Sequence, residues 1–169
     1  MTRNEYIKKH KHSVLRYTRG TGLFPSVTMA QAILESSNSK GEPGESKLAK
    51  YFNNHFGVKA GGRYVGKKVN LNTTEFKNGE DGYVNDFFRI YSDSDTSFRD
   101  HTFVLKGNKA FQKAGVFTAP TPELQAYALQ KGGYATDPNY AQKLIALMNE
   151  LNLKSLDREA EKNAYAAAA

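Results

Sequence analysis

"MAQAILESSNSKGEPGES", Met29 to Ser46, carries an apolar helical rhythm as far as Glu35 and then dissolves into serine, glycine and proline. The rhythm begins at Pro25, which suits a first helical turn, and Val27, Ala30, Ile33 and Leu34 fall three and four apart as one apolar stripe. This spacing predicts a helix that fails soon after Glu35, because "SSNSKGEPGES" prefers turns. A carboxylate at that junction is either a solvated last-turn residue or an acid held half out of water.

Working outward, "TRNE" at Thr2 to Glu5 has capping-box spacing and opens a first helix that ends near Gly20. "ESKLAKYF" is a short helical segment, followed by the glycine-punctuated "NNHFGVKAGGRYVG". "KVNLNTTEF", Lys68 to Phe76, and "YVNDFFRIY", Tyr83 to Tyr91, alternate with β-branched and aromatic residues around "KNGEDG", which reads as a β-hairpin. Helices then resume: one from Ser94 or Asp95, one capped by Thr121 with Pro122, and one capped by Asp137 with Pro138. The last has Tyr140, Leu144, Leu147, Met148 and Leu151 on one side. The pattern predicts a single α+β domain over residues 1–157, a mainly helical body with a small β-hairpin lobe flanking a cleft. Residues 158–169, ending "AYAAAA", read as a tail outside the fold.

Composition narrows the function classes. A mean hydropathy of −0.64, with no apolar run approaching the ~18 residues of a membrane span, argues against membrane insertion. With no cysteine there is neither a disulfide framework nor thiol chemistry. The amino terminus lacks the apolar stretch of a signal peptide. Residues 1–20 hold six of the 24 Lys and Arg residues against Glu5 alone, so a basic first helix could steer the chain to an anionic polymer. Its aromatics are not interleaved as a nucleic-acid stacking platform requires, and nucleic acid is not the expected partner. His10, His12, His55 and His101 lack zinc-site spacing, and "KAGGRYVGKK" lacks the lysine and hydroxyl of a phosphate loop, so neither metal nor cofactor is expected.

Two acids fall where a cleft would lie. Glu35 ends its helix and Glu75 ends the first strand. Glycoside hydrolysis needs a protonated carboxyl group to donate to the leaving oxygen and, in most families, a second carboxylate to activate water or attack carbon. Burial against Ile33 and Leu34 supplies the raised proton affinity the first requires, so Glu35 is the natural acid and Glu75 the more solvated partner. On spacing alone, a surface glutamate at a helix end and an acid near a hairpin turn are the commoner readings.

The segments "AQAILES", "LAKYFNNHFGVKA", "NTTEF", "FFRIYSD" and "GGYATDPNYAQKLI", in that order across Phe24 to Leu153, resemble the glucosaminidase family of bacterial wall hydrolases, glycoside hydrolase family 73. The resemblance implies a lysozyme-like fold and endo-β-N-acetylglucosaminidase activity on the β-1,4 bond after N-acetylglucosamine in peptidoglycan. It implies a secreted or cell-envelope enzyme, monomeric, with glycan strands as its partner. Glu35 matches the general acid, Glu75 the acid on the hairpin lobe, and Tyr134 a tyrosine lining the cleft; Asn54 and Phe56 match a cleft-floor segment that meets sugar amides and ring faces. Unlike family members with a Gly-Trp-Gly-like stretch after the acid, this chain has "SSNSKGEPGES" and no tryptophan, so the sugar-stacking surface is either lost or moved to Tyr51, Phe52 or Tyr64. A muramidase or lytic transglycosylase on the same scaffold, and a non-catalytic module for wall or nucleic acid, are the alternative readings. Tyr134 as a packing residue and Asp137 as a helix cap stand beside their functional readings.

Overall fold

The computed structural model describes the backbone of residues 1–77 and 80–168, and their side chains except at 73–77, 80, 81 and 84. Helices α1 (Arg3–Thr18), α2 (Pro25–Ser36) and α3 (Lys47–Phe52) precede an antiparallel ribbon of β1 (Lys68–Lys77) and β2 (Glu80–Arg89). Then come α4 (Ser94–Gly107), α5 (Lys109–Lys113), a 3₁₀ turn at Val116–Thr118, α6 (Pro122–Lys131), α7 (Tyr140–Glu150) and α8 (Lys154–Ala168). The α+β class, with a helical body and one two-stranded lobe, is as the sequence predicts.

Several ends follow local chemistry. Thr2 and Glu5 form the reciprocal capping box of α1, and the Thr121 side chain accepts from the Leu124 amide at the start of α6. Asp137 departs from expectation. Its side chain accepts from the Asn139 amide at 2.8 Å and its carbonyl from the Tyr140 amide, closing a turn before α7, whose N-cap is Asn139. Proline at 138 fits this turn as well as it would fit a first helical turn, which is why the two could not be separated by sequence.

The predicted stripe on α2 understates its burial: ten of its twelve residues are buried, because α1, α6, α7 and α8 all pack around it. The turn leading into α2 is pinned to the body. Gly22 has φ +84°, and a Cβ there would stand 2.2 Å from the Phe117 carbonyl oxygen, so only glycine allows the approach. Buried Gln125 bridges the same turn, donating to the carbonyls of Gly22 and Val116 and accepting from the Phe24 amide. The last helix, α8, holds Leu156 buried and Asp157 accepting from the Ser26 amide; it runs on through the segment read as a tail, 158–169, as far as Ala168, where Glu159 pairs with Lys11 and residues 161–168 are exposed.

The ribbon is tied to the body at one end. The amides of Ala60 and Arg89 donate to the carbonyls of Phe87 and Val58, and Arg89 and Tyr91 both donate to Asp100 on α4, at 2.8 and 2.6 Å. The Asn-Gly turn expected at 78–79 lies outside the described residues. Asp81 and Gly82, expected in a turn, have the backbone of β2.

Candidate active site

Between the helical body and the base of the ribbon lies a cleft of about 960 Å³, walled by Glu35 and Leu34 from α2, Phe56 to Lys59 from the loop after α3, Phe88 from β2, His101 from α4, and Tyr134 to Tyr140 before and into α7. The carboxyl group of Glu35 is partly buried in this wall, and its proton affinity is pushed up to about 7. Burial is the main cause; the negative charge of Asp137 adds to it, while the Tyr140 hydroxyl, hydrogen-bonding the carboxylate, and the Lys143 cation oppose it. Asp137 itself is held below the usual carboxylate range by its ion pair with Lys143 and by the Asn139 amide. Two carboxyl groups in one wall are thus driven apart, one keeping its proton near neutrality and the other staying ionised.

Behind Glu35 stands a connected set of rings. Tyr140, 2% exposed, accepts a hydrogen bond from the Gln31 side-chain amide at 3.1 Å and is stacked on Tyr134 with centroids 5.4 Å apart. The Tyr134 hydroxyl meets His101 Nε2 at 3.1 Å, and His101 is stacked on Phe56 with centroids 3.8 Å apart. Burial pushes His101 down to about 3, so it is a neutral imidazole, and its Nδ1 has no hydrogen-bond partner among the described residues. The stack continues from Phe56 through Phe98 to His10, His55 and Tyr6. Among the described residues no group of three or more His, Cys, Asp or Glu is placed to hold a metal ion.

The structure brings Glu35, Tyr134 and Phe56 to one cleft. Asn54 requires a correction. It is 0% exposed; its amide nitrogen donates to the carbonyls of Val58 and Arg89 at 3.0 and 2.9 Å, and its oxygen accepts from the Val58 amide at 2.9 Å. Every polar atom of that side chain has a partner in bracing the loop to β2, and the side chain is buried outside the residues that wall the cleft. Phe56 lines the floor, but one ring face is covered by His101 and Phe98 meets it at 80°. Of the three rings expected to stack sugars, Tyr51 is 68% exposed, Phe52 is half-buried and Tyr64 lies under the Arg89 guanidinium at 4.4 Å; none of them lines this cleft.

Glu75 is a ribbon residue whose side chain lies outside the described part. Its backbone pairs with Gly82, as Val69 pairs with Phe88. Position 75 is six residues, and so roughly 20 Å, along the ribbon from the Val69–Phe88 pair. Near the ribbon base Asp86 is paired with Lys59 at 2.6 Å. Sequence reasoning missed Gln31, His101 and Lys143 as parts of the site and read Tyr140 as core alone. One signal was available: Gln31 is a polar residue one turn before Glu35, and the residues from Met29 to Leu34 around it are otherwise apolar.

A helical body and an antiparallel ribbon framing a cleft, with one carboxyl group kept protonated in its wall, define a lysozyme-like α+β domain. Residues 11–153 match the glucosaminidase family, described as mannosyl-glycoprotein endo-beta-N-acetylglucosaminidase, and the chain belongs to that family. It is 38% identical over 142 residues to the peptidoglycan hydrolase FlgJ of Salmonella typhimurium, covering 80% of this chain and 42% of that protein. It is 39% identical over 142 residues to a protein of Lactococcus lactis named probable N-acetylmuramidase, covering 80% of this chain and 30% of that one. The chain therefore spans less than half the length of these curated relatives. The catalytic domain of the autolysin Auto of Listeria monocytogenes superimposes with a TM-score of 0.73 at 31% identity, over 92% of this chain and 87% of that one.

Proposed function

We propose that this chain is an endo-β-N-acetylglucosaminidase that hydrolyses the β-1,4 bond after N-acetylglucosamine in bacterial peptidoglycan, and that it acts in the cell envelope or outside the cell. The observation that carries this reading is the Glu35 carboxyl group, held at about 7 in the wall of an open cleft, where it keeps a proton to give at neutral pH. In the reaction Glu35 protonates the glycosidic oxygen as the bond to C1 breaks. Water then attacks C1, guided by Glu75 or by the acetamido group of the substrate itself. Tyr134, partly exposed in the cleft and kept a neutral phenol by burial, is the tyrosine that faces the reacting sugar.

The Lactococcus relative's name favours a second reading, cleavage after N-acetylmuramic acid. Digestion of purified sacculi separates the readings, with the reducing-end sugar of the soluble products read by mass spectrometry. N-acetylglucosamine at the reducing end supports the proposal and N-acetylmuramic acid supports the muramidase. Equal sugar release by wild type and Glu35→Gln overturns the acid, and wall binding without release points to a non-catalytic module.

A further inference from the structure

We infer that His101 is a positioning residue that makes Tyr134 a hydrogen-bond donor toward the cleft: its Nε2–H donates to the phenol oxygen, and the phenolic proton is left for a bound glycan. The Tyr134 hydroxyl lies 3.1 Å from His101 Nε2, its hydrogen-bond partner among the described residues. A neutral imidazole has one ring proton, so its position decides what the hydroxyl offers to the cleft. With that proton on Nδ1, Nε2 accepts the phenolic O–H, and only oxygen lone pairs are left for a ligand. With it on Nε2, the oxygen accepts from His101 and its own proton turns away from the imidazole.

The other edge of the ring separates the two arrangements. His101 is 2% exposed, and Nδ1 is buried without a hydrogen-bond partner among the described residues. A proton on Nδ1 would be a buried N–H with nothing to receive it, a rarer defect in folded proteins than an acceptor short of a donor. On Nε2 the same proton meets the phenol oxygen, and Nδ1 keeps only a bare lone pair. Neither ring is free to turn out of this choice. His101 is stacked on Phe56 with planes 14° apart, while Tyr134 is stacked on Tyr140 and its amide donates to the Leu129 carbonyl at 3.0 Å. Half-buried Tyr134 lines the cleft with Glu35, so the group its proton selects there is an acceptor oxygen of the sugar. The role in catalysis rests on the reading of Tyr134 as the tyrosine facing the reacting sugar; the position of the imidazole proton does not.

The test is nitrogen-15 NMR of the histidine side chains in the folded wild type near neutral pH, with His101 identified by the loss of its signals in His101→Gln. A proton bonded to Nε2, with Nδ1 resonating as an unprotonated imidazole nitrogen, is the expected result; a proton on Nδ1 overturns the proposal. Should His101→Gln fail to fold, Tyr134→Phe identifies the same histidine by the movement of its Nε2 resonance. In sacculus digestion His101→Phe keeps a ring against Phe56 and loses the donor, so the rate should fall roughly two- to tenfold. His101→Gln carries an amide N–H near the place of Nε2 and should recover most of that rate. In a Tyr134→Phe background, His101→Phe should cost nothing further, because it acts through the hydroxyl. Equal losses with and without that hydroxyl overturn the positioning role, since a packing defect is blind to it. If Glu35→Gln digests sacculi as fast as wild type, the acid assignment fails, and the nitrogen-15 spectra still decide the proton's position by themselves.

Discussion

Replacing Glu35 by Gln should make this protein more stable at pH 8 and leave it unchanged near pH 4. The carboxyl group ordinarily titrates at 4.5 and is pushed up to about 7 in the folded chain. Between those values the folded state holds a proton that the unfolded state has released, so stability falls as pH rises through that window and stays low above it. Converted at 1.36 kcal/mol per pH unit, the loss is about 3 kcal/mol at pH 8. Glutamine has nearly the same shape and no charge to bury, so the variant escapes this loss. His10, His55 and His101 slope the other way. Burial pushes them down to about 3, 4 and 3, so the unfolded chain takes up protons below about 6.5 that the folded chain refuses, and stability falls in acid. Both proteins carry all three, and the difference between variant and wild type cancels them. Urea unfolding at pH 4, 6 and 8 measures that difference, and the thermal midpoint at pH 8 should rise by roughly 6–12 °C. A stability difference independent of pH, or a variant less stable at pH 8, would refute the claim that burial of Glu35 carries its proton affinity.

The charges flanking Glu35 predict opposite movements: Asp137→Asn removes a repelling charge and should lower the alkaline limb of the activity profile, whereas Lys143→Met should raise it. Parallel rate–pH curves for the pair, coincident with wild type, would contradict this. Asn54→Ala removes three buried hydrogen bonds and should cost about 2–4 kcal/mol in denaturant unfolding without changing the reducing-end sugar of the products. His10→Phe should keep the stack on Phe98, whose centroid is 5.1 Å away, and remove one buried nitrogen without a partner. It should therefore lessen the fall in stability between pH 6.5 and 4, read from thermal midpoints across that range.

Local chemistry made much of this fold readable. The Thr2–Glu5 capping box, Pro25 opening α2 and the two alternating runs of the ribbon each declare themselves within a few residues, and Glu35 was legible because an apolar stripe ended on it. The parts that escaped depend on distant partners. Asn54 sits in a family motif and invites a ligand role, yet its meaning lies in the Arg89 carbonyl, 35 residues away. Gln31 and Tyr140 are separated by 109 positions, and His101 and Tyr134 by 33, so no local window joins them. Asp137 shows a different limit: one Asx-Pro pair serves a cap or a turn, and the packing of α7 on α2 and α6 decides between them.

Glu35 sits in the last turn of α2, a helix of twelve residues with no cation in that turn. The peptide dipoles of such a helix add up to a partial negative charge at its carboxyl end, which opposes ionisation of an acid placed there by about 0.3–1 kcal/mol. No side-chain substitution removes that contribution, because it belongs to the backbone. Part of the proton-holding power of this site therefore survives replacement of any neighbour around it.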